Sequence, residues 1–547
     1  MKLFYNLLTF LFVLFLLTFE SQSCTNILVS KGASIDGSVM ISYNADAGGF
    51  MEPIYFSPRG KWEKGDSVEV YDWDTGKYLR KIPQVSETYQ VIGLINEYQV
   101  ALGETTYGGR EELHDTLGGV DYGSLMQLAL QRAKTARQAI KIMTDLVAEY
   151  GYYSEGESFS IADKNEIWIM DMIGKGPGNK GAVWVALRVP DGYMTVHANK
   201  SRIREFPLND PENCLYASDV VSFAKEKGFW KESDGAFSFS DAYDPASPGA
   251  LMYCEDRVWS VFNRAAPSLH LSTDYFRAYK GEKPYPLFIK PDKKVSVKDM
   301  IAFMRDHFEG TDFDMTKGLA AGPFGCPYRW KNLVWKAPDD TVHKYGWERP
   351  ISTQQTAFAF VSQLRSSLPD PIGGIHWYGV DDNYSNVYMP IYNCIKEPPY
   401  NFRVGSIKDF TLESSFWVFN LVANLAYTKY SYVIKDIQKV QSELENKYFE
   451  LQPAIEKTAM LLYKKDPKLA IDFLSNYSLN TASELHKRWY KLWTELVIKY
   501  NDGYINDVNV ENGRHPKGVG YGEFYKKVIK ERPGYYDVKW RNKKDKK

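Results

Sequence analysis

From residue 25 to about residue 200, apolar positions come in short runs separated by turn residues. The runs "TNILV" and "VMISYN" flank "KGASIDGS", "QVIGLI" and "QVALGE" flank "NEY", "SFSIA" and "IWIMDM" flank "DKNE", and "AVWVALRV" and "YMTVHAN" flank "PDG". β-Branched and aromatic residues around Gly, Asn, Asp or Pro predict a series of antiparallel strand pairs. Between the second and third pairs, "DYGSLMQLALQRAKTARQAIKIMTDLVAEYG" repeats Leu125, Leu128, Ala129, Ala136, Ala139, Ile140, Met143 and Leu146 at helical spacing. Strand pairs with helix inserted between them predict an α+β layered domain and argue against a parallel nucleotide-binding sheet.

The pattern then changes twice. From about 201 to 400 it is irregular, with "PASPG", "GEKPYP", "AGPFGCPYRW" and "SSLPDPIGG", segments of the kind that line binding pockets. From about 405 it is helical. The segment "TASELHKRWYKLWTELVIKY" predicts a helix opening on a Thr481-x-x-Glu484 capping box, with Leu485, Trp489, Leu492, Trp493 and Leu496 on a core-facing stripe. The chain thus divides into 1–23, 24–404 and a helical region, 405–547, packed on the middle part.

The N-terminus changes the picture most. "LLTFLFVLFLL" is too short to span a membrane, and Ser21 and Ser23 stand at the third and first positions before Cys24. This predicts a signal peptide, residues 1–23, cut before Cys24, and an exported (periplasmic or secreted) protein with no stable membrane insertion afterwards. A lipid-bearing cysteine is the competing reading, but Ser21-Gln22-Ser23 lacks the usual aliphatic residue three positions ahead. With 67 basic and 68 acidic residues, nothing in the charge favours a nucleic-acid partner. Cys214, Cys254, Cys326 and Cys394 lack C-x-x-C spacing and read as buried thiols or disulfides, leaving Cys24 as the odd thiol.

The first strand pair carries chemistry. Antiparallel pairing about "SIDG" sets residues whose numbers sum to roughly 70 opposite each other, so Cys24 faces Tyr43 to Asp46. Leader removal gives Cys24 a free α-amine beside its thiol. With an α-amine pKa near 7.7–8.0, that amine can take the thiol proton and later protonate a leaving amine. Asp46 is suited to orient it. Asn199, just after a strand, and the backbone of the Gly-rich "GETTYGG" bend around Thr105 and Thr106 are candidate oxyanion donors.

Cys24-Thr25, "SIDGS", "NAD" (44–46), "ALGETTYGGR", "GESFSIADKNEIW", "HANKSRI", "AGPFGCPYRW" and "LPDPIGGIHWYG" resemble the bacterial dipeptidase A family of cysteine peptidases. These are N-terminal-nucleophile hydrolases, akin to choloylglycine hydrolase and penicillin V acylase. The resemblance implies an αββα four-layer sandwich, no metal or other cofactor, and hydrolysis of dipeptides. It implies Cys24 as nucleophile, Asp46 as the amine-orienting carboxylate, Asn199 as oxyanion donor with the Thr105–Thr106 backbone, and Arg257 as the site arginine. Tyr43 stands where relatives carry arginine, so that either Arg257 or Arg202 supplies the positive group or thiolate formation depends more on the amine. Glu104 or Glu309 is expected to meet a substrate amino terminus.

Plainer readings stand beside these. His197 reads as structural, and "RDHFEGTDFD" (His307, Glu309, Asp312, Asp314) and "DDNYSN" (381–386) as loops without a metal signature. An N-acyl or bile-salt-like acylase, or a non-catalytic lipoprotein that binds peptides or sugars, are the competing functions, and a homo-oligomer is compatible with the sequence.

Overall fold

A computed structural model of the chain describes residues 24–330, 333–339, 342–507 and 516–538. The leader, 1–23, and the basic tail "KWRNKKDKK", 539–547, fall outside the described residues. The described chain is mixed α+β, with two large antiparallel sheets and several helices.

The first predicted pairing forms within one residue of the expected register: Leu28 faces Ile41, Val29 faces Met40, and Thr25 bridges to Asn44. These strands, Asn26–Val29 and Val39–Asp46, lie inside a six-stranded sheet ordered Met194–His197, Asn26–Val29, Val39–Asp46, Thr356–Leu364, Ile375–Val380, Met389–Tyr392. The eight-stranded sheet includes Cys214–Tyr216, Ala182–Arg188, Ile167–Gly174, Gly156–Ala162 and Ala101–Tyr107 side by side. Strand Val39–Asp46 packs against Ala101–Tyr107 and Gly156–Ala162, so the sheets meet behind the first hairpin. There the Asn26 amide, oriented to satisfy its neighbours, accepts from the Glu104 N–H (3.0 Å) and donates to the Glu104 carbonyl (3.1 Å). Gly103 permits this approach, because a Cβ there would lie 2.8 Å from the Asn26 amide.

Several expectations need correcting. Ala182–Arg188 and Met194–His197 do not form a hairpin. The chain crosses between sheets, because Ala182–Arg188 already pairs on both edges while Met194–His197 pairs with Asn26–Val29. The predicted helical stretch forms as two helices, Tyr122–Leu130 and Ala136–Tyr150, since Thr135 adopts an extended conformation and caps the second by accepting from the Gln138 N–H. All eight of its stripe residues are buried. The "GETTYGG" stretch is mostly a strand, Ala101–Tyr107, not a bend, because Thr105, Thr106 and Tyr107 favour extended backbone and pair with Ser158, Glu157 and Gly156 respectively. The 201–400 region contains three strands of the six-stranded sheet, including Thr356–Leu364, which pairs along the whole of Val39–Asp46.

The C-terminal helices are Ser415–Thr428, Tyr430–Lys465 and Pro467–Tyr500. Thr481 lies mid-helix and caps nothing: Pro467 opens the helix at its first position, and Asp466 caps it. Of the predicted stripe, Leu485, Trp489, Leu492 and Leu496 are buried and Trp493 partly so. Phe449 stacks on Trp377 at 4.5 Å, and Glu445 pairs with Arg305 at 2.6 Å, tying this region to the sheet side. No described helix is long and apolar enough to cross a membrane.

Candidate active site

Cys24 enters the sheet next to Thr25, whose N–H donates to Asn44 Oδ1 (2.7 Å). Its Sγ donates to Tyr43 Oη (3.7 Å), and Tyr43 Oη donates to Glu104 (2.6 Å). Burial pushes the thiol well above its ordinary pKa, and the charges of Glu104 and Asp46 add to that. The Asp46 N–H and the Tyr43 hydroxyl oppose it. Such surroundings favour the thiol over the thiolate. Burial also raises Glu104, to about 7, against the hydrogen bond from Tyr43.

Asp46 is 1% exposed. Its Oδ2 accepts from Asn44 Nδ2 (2.5 Å) and Arg349 Nη2 (2.7 Å), and its Oδ1 from Thr356 Oγ1 (2.6 Å). Burial raises its pKa, and Arg349 and Thr356 pull it back. The arginine at this carboxylate is therefore Arg349, from a loop more than 300 residues later. Arg202 is elsewhere, paired with Glu255 and donating to the carbonyls of Val196, Tyr285 and Pro286.

Arg257 lies between Cys24 and Asn199. Its Nη1 donates to the Cys24 carbonyl (2.6 Å) and Thr25 Oγ1 (2.9 Å), and its Nη2 to the Ala198 carbonyl (3.2 Å) and Asn199 Oδ1 (3.0 Å). One guanidinium thus joins Cys24 to Asn199. Asn199 adopts φ 59, a left-handed conformation that asparagine tolerates, and its Nδ2 donates to the Thr106 carbonyl (2.6 Å). Asp171 fixes the following loop by accepting from Ser201 Oγ, Arg202 N and Ile203 N. Thr106 therefore holds Asn199 through its carbonyl, while the Thr105 hydroxyl is engaged with His197 Nδ1 (2.7 Å). His197 Nε2 meets Ser160 Oγ (2.8 Å), and burial with Arg202 nearby lowers its pKa to about 3, as suits a neutral structural histidine.

A small, partly open cleft lies at the thiol, lined by Cys24, Tyr43, Asp46, Phe50, Trp73, Asp74, Tyr122 and Phe358 among others. Cys24, Tyr43 and Asp46 line it directly, whereas Glu104 sits behind Tyr43, fully buried. Glu309 instead accepts from His307 N–H (2.7 Å) and Nδ1 (3.0 Å). Among the described residues, no three His, Cys, Asp or Glu side chains gather as for a metal, and all five cysteines are free thiols. Arg349, Asn44 and Asp74 were not singled out from sequence. Asn44 lies in the quoted "NAD" string, but Arg349 and Asp74 carry no local signal.

The profile of peptidase family C69 matches residues 23–58 and 69–443. The chain belongs to peptidase family C69. This family membership makes it a cysteine-type hydrolase of peptide bonds, and the resemblance to the dipeptidase A family holds. It is 27% identical over 400 residues to a probable dipeptidase of Salmonella dublin, covering 68% of this chain and 82% of the relative. It is 25% identical over 499 residues to a probable dipeptidase of Latilactobacillus sakei, covering 88% and 96%. Against dipeptidase A of Lactobacillus helveticus the identity is 26% over 449 residues, covering 78% and 85%.

Proposed function

We propose that this C69 peptidase is an exported dipeptidase whose nucleophile is Cys24 and whose general base is the α-amine of that same residue, exposed when the leader 1–23 is removed. The observation that carries the reading is the Arg257 fork, which bonds the Cys24 carbonyl and Asn199 Oδ1 together beside a cleft opening at Sγ. A raised thiol pKa favours base-assisted attack over a standing thiolate. The two packed sheets with helices against them suit the four-layer αββα sandwich of N-terminal-nucleophile hydrolases.

In the first step the amine takes the thiol proton as Sγ bonds to the substrate carbonyl carbon, and Asn199 Nδ2 donates to the resulting oxyanion. The ammonium, oriented by the Asp46 carboxylate, then protonates the leaving nitrogen. The C–N bond breaks, releasing the second amino acid and leaving a thioester. Water adds to that thioester with the amine again taking a proton. The C–S bond breaks, the first amino acid leaves, and the thiol regains the proton.

The experiment is mass spectrometry of the mature N-terminus together with dipeptide hydrolysis by wild type and Cys24→Ala. An unmodified Cys24 terminus and an inactive variant are expected. A lipid-modified terminus, or full activity without the thiol, sinks the proposal.

A further inference from the structure

Once Cys24 attacks a dipeptide carbonyl, the position of the substrate's amino group is fixed within narrow limits. The nitrogen lies about 2.5 Å from the attacked carbon, two bonds away. Whatever recognises it must therefore line the same cleft as Sγ. Two carboxylates do so, Asp46 and Asp74. Asp46 is occupied by Asn44, Thr356 and Arg349, and Arg349 offsets its charge. Glu104 is screened by Tyr43, and Glu309 is bound to His307, so neither of the carboxylates expected from sequence reaches the cleft.

Asp74 stands at the exposed mouth, between strands Ser67–Tyr71 and Tyr78–Pro83. Its Oδ1 accepts from Tyr122 Oη (2.8 Å), and the Tyr122 ring lies parallel to that of Trp73, with centroids 6.0 Å apart and planes 2° from parallel. This wall is built rather than incidental: the Trp73 N–H donates to Asp121 (3.0 Å), and Gly123 leaves room for the indole, which a Cβ would strike at 1.7 Å. Carboxylate and aromatic faces together attract an organic cation. The potential agrees, since the charge of Asp74 adds to burial in raising both Glu104 and Glu157.

We propose that Asp74, with the Trp73–Tyr122 pair, is the subsite for the substrate's free α-ammonium group and so restricts the enzyme to peptides with an unblocked amino terminus. The inference rests on Cys24 being the nucleophile. It is tested by kcat/KM for alanyl-alanine and for its des-amino analogue, N-propionyl-alanine, with wild type, Asp74→Asn and Asp74→Glu. Wild type is expected to favour the free amine by about tenfold or more, the worth of one hydrogen bond to a charged group. Asp74→Asn is expected to shrink that ratio about tenfold, and Asp74→Glu to keep most of it. A wild type indifferent to the amine, a result that needs no variant, overturns the subsite. So does an Asp74→Asn enzyme that keeps the wild-type ratio. Failure of the underlying reading looks different: dipeptide hydrolysis then survives Cys24→Ala.

Discussion

The Arg349–Asp46 pair offers the sharpest structural test of how the site is held. Replacing Arg349 with Met removes the guanidinium bonded to a carboxylate whose side chain is 0% exposed, leaving the neutral side chains of Thr356 and Asn44 as its donors there. Removing one partner of a buried pair costs about 3–5 kcal/mol. Unfolding entropy of about 2.1 cal/mol/K per residue, over roughly 500 residues, is near 1 kcal/mol/K, so the melting temperature should fall by about 3–5 °C. Because Arg349 opposes the effect of burial on Asp46, its loss raises the carboxyl pKa further, and the acid limb of kcat/KM should move to higher pH. The assay is thermal unfolding at a fixed scan rate for Arg349→Met, Asp46→Asn and the double variant, with pH–rate profiles for the singles. The double variant, having no stranded charge, should be more stable than the sum of the singles by about 2 kcal/mol or more. A melting shift below about 1 °C for Arg349→Met, or strict additivity in the double variant, refutes the reasoning.

Three further outcomes follow from the same geometry. Arg257→Lys loses the fork that spans Cys24, Thr25, Ala198 and Asn199, so kcat should drop by about 100-fold, and a change within threefold in steady-state assays would contradict the assignment. Tyr43→Phe removes the hydroxyl contact to Sγ and the bond that lowers Glu104. About a tenfold loss in kcat/KM is expected, and wild-type kinetics would show that Tyr43 does not position the thiol. His376, buried with a pKa lowered to about 3, gives stability that is present above its unfolded value near 6.5 and is lost as pH falls towards 3. His376→Gln should therefore narrow its stability gap to wild type by about 2 kcal/mol between pH 7 and pH 5 in denaturant titrations, and a constant gap would refute the linkage.

What could be read from the sequence was local. The Cys24 hairpin register follows from two apolar runs and one turn, and Asn199 lies in a string distinctive enough to carry a resemblance, whereas Arg257 came only as what that resemblance implies. The strand Thr356–Leu364 escaped because all nine residues are buried, which removes the alternation that marks a half-exposed strand. Met194–His197 was assigned to the wrong neighbour because a turn signal such as "PDG" does not say whether the chain returns to the same sheet. Arg349 was missed for a related reason: its bond to Asp46 spans 303 residues, and nothing in "GWERP" marks it. Asp74 carries no local signal; only the fold brings it, with Trp73 and Tyr122, to the same cleft as Sγ.

The central claim is that the α-amine of Cys24 is the catalytic base, and one comparison tests it most directly. The enzyme beginning at Cys24 is assayed on a dipeptide beside the same enzyme retaining Ser23, in which that nitrogen is an amide. General-base catalysis contributes about 10²–10⁴-fold, so the extended enzyme should lose at least 100-fold in kcat while keeping its melting temperature. Equal activity in the two forms would contradict the account.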